Sequence, residues 1–429
     1  MKYDYVIIGN SAGGIGCVEA IREIDKMSSV AVISAEKYHA YSRALIPYYL
    51  DGKISLDKIY YRPLDFYEKK NVDTFLGTKA TRIDVDAKEV ELENGRKIGY
   101  GKLLIATGGK PFIPPMEGLS NQENVFTFLS LDDVLSVEKA MKEANNVVIL
   151  GGGIIGLMAA EVLKKKGLDV KVVELADRVL APVVDDITSK LVQDKFAENG
   201  VEIILENTIS KVVGKKRVDK VILRDGRVFE TDMLIVAVGV IPNTELARDT
   251  PIKVNRGIVV NRKMETSVKD IYACGDCAEI YDFIFGANRV LPLWPTAYIG
   301  GRIAGFNMCG VEREYNFATA MNAMHFFDYY IINAGLNIPN DSEEFEILNR
   351  LEGENYRKFA IKDGKIAGLI IAGKVDRAGI FLRLMREGVD VTDFKEKLLK
   401  DDFSYLDIPE SVRWELLEGD VKLGVVYEL

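Results

Sequence analysis

Two stretches of this chain carry the same pattern of apolar and polar positions. Tyr5-Val6-Ile7-Ile8 is an apolar run that ends in Gly9-Asn10-Ser11-Ala12-Gly13-Gly14. Val147-Val148-Ile149-Leu150 is a second, ending in Gly151-Gly152-Gly153-Ile154-Ile155-Gly156. A continuous apolar run closed by glycine reads as a strand buried on both faces. Helical spacing follows each turn, over residues 15–24 and 157–165, and each helix leads to another apolar run, at 30–33 and 170–173. The pattern predicts one βαβ unit written twice.

The rest of the pattern divides the chain. A polar, tyrosine-rich stretch spans residues 38–67. Short alternating strands follow at 81–85, 89–92 and 97–100, with Asn94-Gly95 as the turn between the last two. An apolar strand at 103–105 ends in Ala106-Thr107-Gly108, and Pro111, Pro114 and Pro115 then break the chain. A second hairpin is expected at Asp225-Gly226, and a strand at 233–238 ends in Gly239 before Pro242. From Phe317 onward the spacing turns to mixed α/β, with a hairpin at Asp363-Gly364. The expected architecture is α/β. Two Rossmann-like dinucleotide-binding domains, the second inserted in the first, precede a C-terminal α+β domain. The boundaries read as 1–118 with 240–316, then 119–239, then 317–429.

The glycines carry the chemistry. A turn without side chains lets backbone N–H groups approach a pyrophosphate, and the helix N-terminus favours its charge. Glu174 closes the strand of the second unit, where a carboxylate can accept the adenosine ribose hydroxyls. The first unit has Ser11 at the second glycine position, still small and able to bond a phosphate. Two such sites imply two dinucleotides and electron transfer between them. A formal net charge of −9 argues against non-specific nucleic-acid binding. No apolar run is long enough to span a bilayer and no signal peptide is apparent, so the expected location is cytoplasmic. With two histidines and no paired Cys/His spacing, no metal site is expected.

On the two glycine turns, Ala106-Thr107-Gly108 and Thr266-Ser267-Val268-Lys269-Asp270-Ile271-Tyr272-Ala273-Cys274-Gly275-Asp276, the chain resembles the flavin-dependent pyridine-nucleotide disulfide oxidoreductases. The resemblance covers residues 1–317 well and the C-terminal part more loosely. It implies FAD at Gly9, Ser11, Ala12 and Gly14, with Ala106, Thr107 and Gly108 on the same side. Glu36 would sit near the adenosine ribose, with Ser34 as the alternative, and Ala80 near the adenine. Asp276 would touch the ribityl or phosphate part. Arg43 and Pro47 would lie near the flavin, and Pro295-Thr296-Ala297 would open a helix aimed at its pyrimidine ring. NADH would lie against Gly151, Gly153, Ile155, Gly156, Glu174 and Gly239. Glu174 should repel the 2′-phosphate of NADPH, so NADH is the expected substrate.

The departures from that family set the subclass. Disulfide reductases need a thiolate beside the flavin. No cysteine lies between Cys17 and Cys274, and Ala44 stands where single-cysteine members carry theirs. Cys274 and Cys277 fall inside the FAD motif and are read as non-redox. Met158 replaces a glutamate that many relatives pair with a lysine near the flavin N5, and Ile46-Pro47-Tyr48 stands where that lysine would be. Ile154 replaces an aromatic gate. His325 is read as packing and His39 as a loop residue.

The expected function is FAD-dependent NADH oxidation without a cysteine. The flavin itself is the reactive group, and no side chain is assigned as catalytic. The acceptor is expected to be oxygen, as in an NADH oxidase. A small electron-transfer protein, as in NADH:rubredoxin reductases, and a nucleotide-binding subunit of a larger complex are the alternatives. The resemblance also implies that the C-terminal α+β domain is of dimerisation type, so a homodimer is expected.

Overall fold

The computed structural model describes residues 1–119, 122–336 and 344–418. The first unit is built on a seven-stranded sheet. Strands Val72–Leu76, Val30–Ser34, Lys2–Ile8 and Lys97–Ile105 lie side by side in parallel. Lys97–Ile105 is long enough to serve two neighbours. Its first half pairs antiparallel with Glu89–Leu92, and its last residues pair parallel with Ile271–Ala273. The chain therefore returns to this sheet after the second unit, beside the strand it left from.

Sequence alone explains why these strands sit centrally. Val6, Ile7, Val30–Ile33 and Leu103–Ile105 have no polar face, and all are buried. That suits a parallel sheet covered on both sides. The second unit repeats the plan. Strands Glu202–Ile204, Asp169–Val173, Asn146–Leu150, Met233–Val236 and Val125–Phe126 form an all-parallel sheet. A three-stranded antiparallel sheet, Ile209–Val213, Lys220–Leu223 and Val228–Glu230, flanks it.

Two strands carry the chain between the units. Gly109–Pro111 goes out and Val240–Pro242 comes back, and they pair antiparallel with Gly109 opposite Pro242. The second unit is thus inserted in the first. Thr107 and Asn243 tie the crossing on the first-unit side. The Thr107 hydroxyl donates to the Asn243 carbonyl at 2.7 Å, and the Asn243 amide donates to the Thr107 carbonyl at 2.9 Å.

The C-terminal part is a five-stranded antiparallel sheet. Its order is Met321–Phe326, Tyr329–Gly335, Lys365–Ala372, Asn355–Lys362, Glu346–Glu352. Asp363-Gly364 makes the expected hairpin, with φ positive at both residues. Phe359, Phe381 and Phe403 stack between this sheet and the helix Ala378–Arg386. Met324, Phe326, Tyr356 and Ile370 instead join a core shared with Leu157, Leu163 and Phe196 of the second unit and Tyr41, Ile46 and Leu50 of the tyrosine-rich stretch. One apolar cluster therefore welds three regions together. No helix among the described residues is long and apolar enough to cross a membrane.

Candidate functional site

Both glycine turns fold alike. Gly9 and Gly151 adopt φ of +125° and +115°, a region that favours glycine. Their amides donate to the carbonyls of Ile33 and Val173 at 2.8 Å, which fixes equivalent registers in the two units. A Cβ on Gly14 would collide with the Gly9 carbonyl oxygen, and one on Gly156 with that of Gly151. These glycines let each helix start pack directly on its own turn. The helices Ala12–Ile24 and Ile154–Lys165 begin after Ser11 and Gly153, and neither of these residues caps its helix with a side chain. Gly153 faces open space. Each turn therefore offers a helix N-terminus to an anion from outside, as a pyrophosphate requires.

The first cradle gathers residues that are distant in sequence. Ala106 sits against Gly9, and Gly13 lies between Cys274 and the Ala297 carbonyl. Ala297 belongs to the helix Trp294–Met308, with Pro295 in its first turn, and its side chain meets Gly275. Asp276 follows in the short turn Gly275–Cys277. Burial pushes the Asp276 carboxyl above its usual range, and the Arg43 guanidinium opposes that shift. Burial works against the charge of Arg43, but Tyr41, Glu36 and Asp276 outweigh it and hold Arg43 above its usual value. Gly108 has φ +66° and open space around it. This half-buried carboxyl group, basic partner and glycine cradle fit a flavin nucleotide.

Glu36 and Ser34 part company here. Ser34 follows Ile33 in the register position that Glu174 holds after Val173. Glu36 instead turns to Arg43, with which it forms an ion pair, and accepts the Tyr41 hydroxyl at 2.6 Å. The segment leading to the buried Ala80 runs beside both, through Gly77 N–H to the Glu36 carbonyl and Thr78 N–H to the Ser34 carbonyl. Pro47 lies in the first turn of the short helix Ile46–Asp51.

At the second cradle Glu174 is held by both oxygens. Oε2 accepts the Gly152 N–H at 2.5 Å and Oε1 the Ala176 N–H at 2.8 Å. Each oxygen keeps a lone pair for a further donor. Ile155 and Met158 are half-buried on the helix. Gly239, φ +130° with open space around it, accepts the Phe112 N–H through its carbonyl, on the strands that cross between the units.

The cysteines are poorly placed for redox work. Cys17, Cys274 and Cys277 are fully buried, and burial raises all three thiols above their ordinary value. A thiolate nucleophile needs the opposite shift. His325 packs among aromatic rings as expected, while His39 is more enclosed than a loop reading implies. His325 lies between Tyr48 and Tyr330, at ring distances of 5.9 and 5.3 Å. His39 packs on Tyr67 and Tyr60, with its Nε2 buried and unpartnered. No cluster of ligands fit for a metal occurs among the described residues.

Sequence reasoning named Arg43 but missed the other residues that brace the site. Asn10 donates to the Tyr38 carbonyl at 3.2 Å and accepts the Tyr67 hydroxyl at 2.6 Å. Arg43 donates to the Leu129 carbonyl at 3.0 Å, and the Tyr41 hydroxyl accepts the Leu131 N–H at 3.1 Å. The available signal was the density of tyrosines over residues 38–67, which marked the region without identifying the partners.

Known proteins agree with this geometry. Residues 3–301 match the family described as pyridine nucleotide-disulphide oxidoreductase. The chain is 38% identical over 321 residues to an NADH oxidase of Methanocaldococcus jannaschii, covering 72% of this chain and 71% of that protein. It is 30% identical over 408 residues to the assimilatory nitrate reductase electron transfer subunit of Bacillus subtilis. That match takes in 94% of this chain but spans only 52% of the relative's length. The NADH:rubredoxin oxidoreductase structure from Clostridium acetobutylicum superposes with a TM-score of 0.75 at 26% identity, covering 94% of this chain and 98% of that one. The chain belongs to the pyridine nucleotide-disulphide oxidoreductase family and is an NAD(P)H-dependent flavoprotein oxidoreductase.

Proposed function

We propose that this chain is an FAD-dependent NADH oxidoreductase that works without a redox-active cysteine, with molecular oxygen as its acceptor. The observation that carries the reading is the pair of matching glycine cradles, one per unit, with the half-buried Asp276 and Arg43 beside the first and Glu174 at the second. When bound, FAD supplies the two-electron acceptor for the nicotinamide hydride. Gly9, Ser11, Ala12 and Gly14 present N–H groups to its pyrophosphate, with Ala106, Thr107 and Gly108 as the opposing wall. Asp276 accepts a ribityl hydroxyl, and Arg43, anchored by Glu36, balances charge nearby. Pro47 borders the flavin, and Ala80 lies toward the adenine. The helix that Ala297 helps to begin turns its N-terminal partial positive charge toward the flavin ring.

On the other side, Gly151, Gly153, Ile155, Gly156 and Gly239 frame NADH. Glu174 accepts the ribose hydroxyls with the lone pairs it has left. Its fixed carboxylate opposes a 2′-phosphate, so NADH is used in preference to NADPH. The buried thiols favour direct transfer, since none is poised as a thiolate. A homodimer through the C-terminal sheet belongs to the same reading. The edge strand Glu346–Glu352 exposes Ile347 and Leu351 there, and sedimentation would report the state.

The test is oxygen uptake on adding NADH to FAD-loaded protein. Fast uptake with hydrogen peroxide forming in step with NADH loss supports the oxidase. The match to an electron transfer subunit over 94% of the chain favours a second reading, in which a small electron-transfer protein is the acceptor. Negligible uptake with rapid anaerobic loss of flavin colour would select it.

A further inference from the structure

A polar network on the tyrosine-rich segment links the first cradle to the second unit. The Tyr41 side chain is buried, and its hydroxyl both donates to Glu36 at 2.6 Å and accepts the Leu131 N–H at 3.1 Å. Leu131 begins the helix Leu131–Ala140 of the second unit. The first N–H groups of a helix have no partner within it. Here Ser130 Oγ takes the Asp133 N–H, and the Asp133 carboxylate takes those of Leu129 and Ser130. The Leu131 N–H goes to Tyr41. Arg43 makes the parallel link, with Nη1 on the Leu129 carbonyl at 3.0 Å, Glu36 at its other end and the field of Asp276 nearby. The network thus runs from the FAD-side carboxylate to the helix at the entry of the NADH-side unit.

We propose that Tyr41 is a positioning residue for hydride transfer, fixing the second unit against the first so that nicotinamide and flavin meet at reacting distance. This rests on the FAD and NADH reading above. Direct transfer depends steeply on the separation of the reacting atoms. A buried bond between the units is therefore worth more to rate than to binding. Burial also keeps the phenol protonated, so its one donor stays on Glu36 while a lone pair serves Leu131. Tyr38, which donates to Asp132 on the same helix at 2.5 Å, is more exposed, and water can replace that bond.

Tyr41→Phe keeps the ring and removes both bonds. Three quantities decide the matter: FAD affinity by titration of apoprotein, anaerobic reduction by NADH with and without deuterium at C4, and amide exchange. The expected result is FAD affinity within about twofold of wild type and reduction slowed on the order of tenfold or more. The isotope effect should persist, and the Leu131 amide should exchange faster while those of Val147–Leu150 stay protected. Tyr38→Phe should reduce within about twofold of wild type. Wild-type reduction by Tyr41→Phe would overturn the proposal. So would loss of FAD affinity, unprotected Val147–Leu150 amides, or an equal slowing in Tyr38→Phe. A wild-type holoenzyme that NADH does not reduce would overturn the FAD and NADH reading itself.

Discussion

At Gly14 and Gly156 there is no room for even one added methyl group. In each case an added Cβ would be driven into backbone, the carbonyl oxygen of Gly9 or Gly151, which has no rotamer to escape into. Overpacking of this kind costs about 1–3 kcal/mol, and here it distorts the turn that would face a ligand. Gly14→Ala is therefore expected to purify with much less flavin per chain. Gly156→Ala should keep its flavin while its KM for NADH rises. Flavin absorbance against protein and steady-state kinetics would measure both, and equal flavin loss in the two would refute the division of labour. At this scale the sequence was legible wherever one residue type had one reason to be there, as at these glycines. It was ambiguous at Ser34 and Glu36. Register depends on which carbonyl receives the Gly9 N–H, and the preference of Glu36 for Arg43 depends on a fold that brings the tyrosine-rich loop back.

Among the elements, the contact between the helices Ala12–Ile24 and Trp294–Met308 decides the geometry of the first cradle. A Cβ on Gly301 would strike the Gly13 backbone, one on Gly16 the Tyr298 carbonyl, and one on Gly305 would lie 2.7 Å from the Cys17 carbonyl. Glycine on both helices lets their backbones touch, and this sets Ala297 beside Gly13. Gly301→Ala is expected to destabilise the protein by about 2 kcal/mol and to loosen FAD, seen in chemical unfolding and in flavin retention on dialysis. The sequence predicted both helices, but not that residues nearly 300 apart would interlock.

The far end of the first helix gives a pH prediction. Asp25, in the C-cap, is lowered to about 2 chiefly by hydrogen bonding from the Ser28 side chain and then from the Ser28 N–H at 2.9 Å, with the Met27 N–H at 3.0 Å adding to it. A depressed folded value means the stability is present above the unfolded value near 3.8 and is lost as the pH falls through about 2. Asp25→Asn should therefore melt below wild type at neutral pH and converge with it near pH 2, as followed by circular dichroism. A constant gap across that range would assign the loss to something other than the charge.

For the whole molecule, the question is how three regions share one arrangement. The inserted unit was legible because Gly109–Pro111 and Val240–Pro242 stand at the ends of matched strands. The seat of the C-terminal sheet was not, because it depends on a side-chain cluster assembled from distant residues. Asp185 is buried and caps the helix Asp186–Glu198 through the Thr188 N–H and hydroxyl, at 3.0 and 2.8 Å. Its other oxygen accepts the Tyr356 hydroxyl at 2.7 Å and faces Lys358 at 3.2 Å. Nearby, Asn333 donates to the Val183 carbonyl at 3.2 Å. One carboxylate thus both starts a second-unit helix and anchors the C-terminal sheet. A bond from a neutral hydroxyl to a carboxylate in this setting contributes about 1.5–3 kcal/mol. Tyr356→Phe keeps the ring in the shared core and removes only that bond, leaving Lys358 to balance Asp185. It is expected to lose about 2 kcal/mol in denaturant unfolding. The C-terminal part should open first, as a separate early phase in amide exchange over Asn355–Lys362, while flavin content remains that of wild type. The flavin result carries the most weight. The cradle is braced from Asn10, Arg43 and the helix Trp294–Met308, whereas the Tyr356 hydroxyl bonds to Asp185. A variant that lost flavin along with stability would mean that the C-terminal sheet holds the FAD side as well, making the three regions a single cooperative unit.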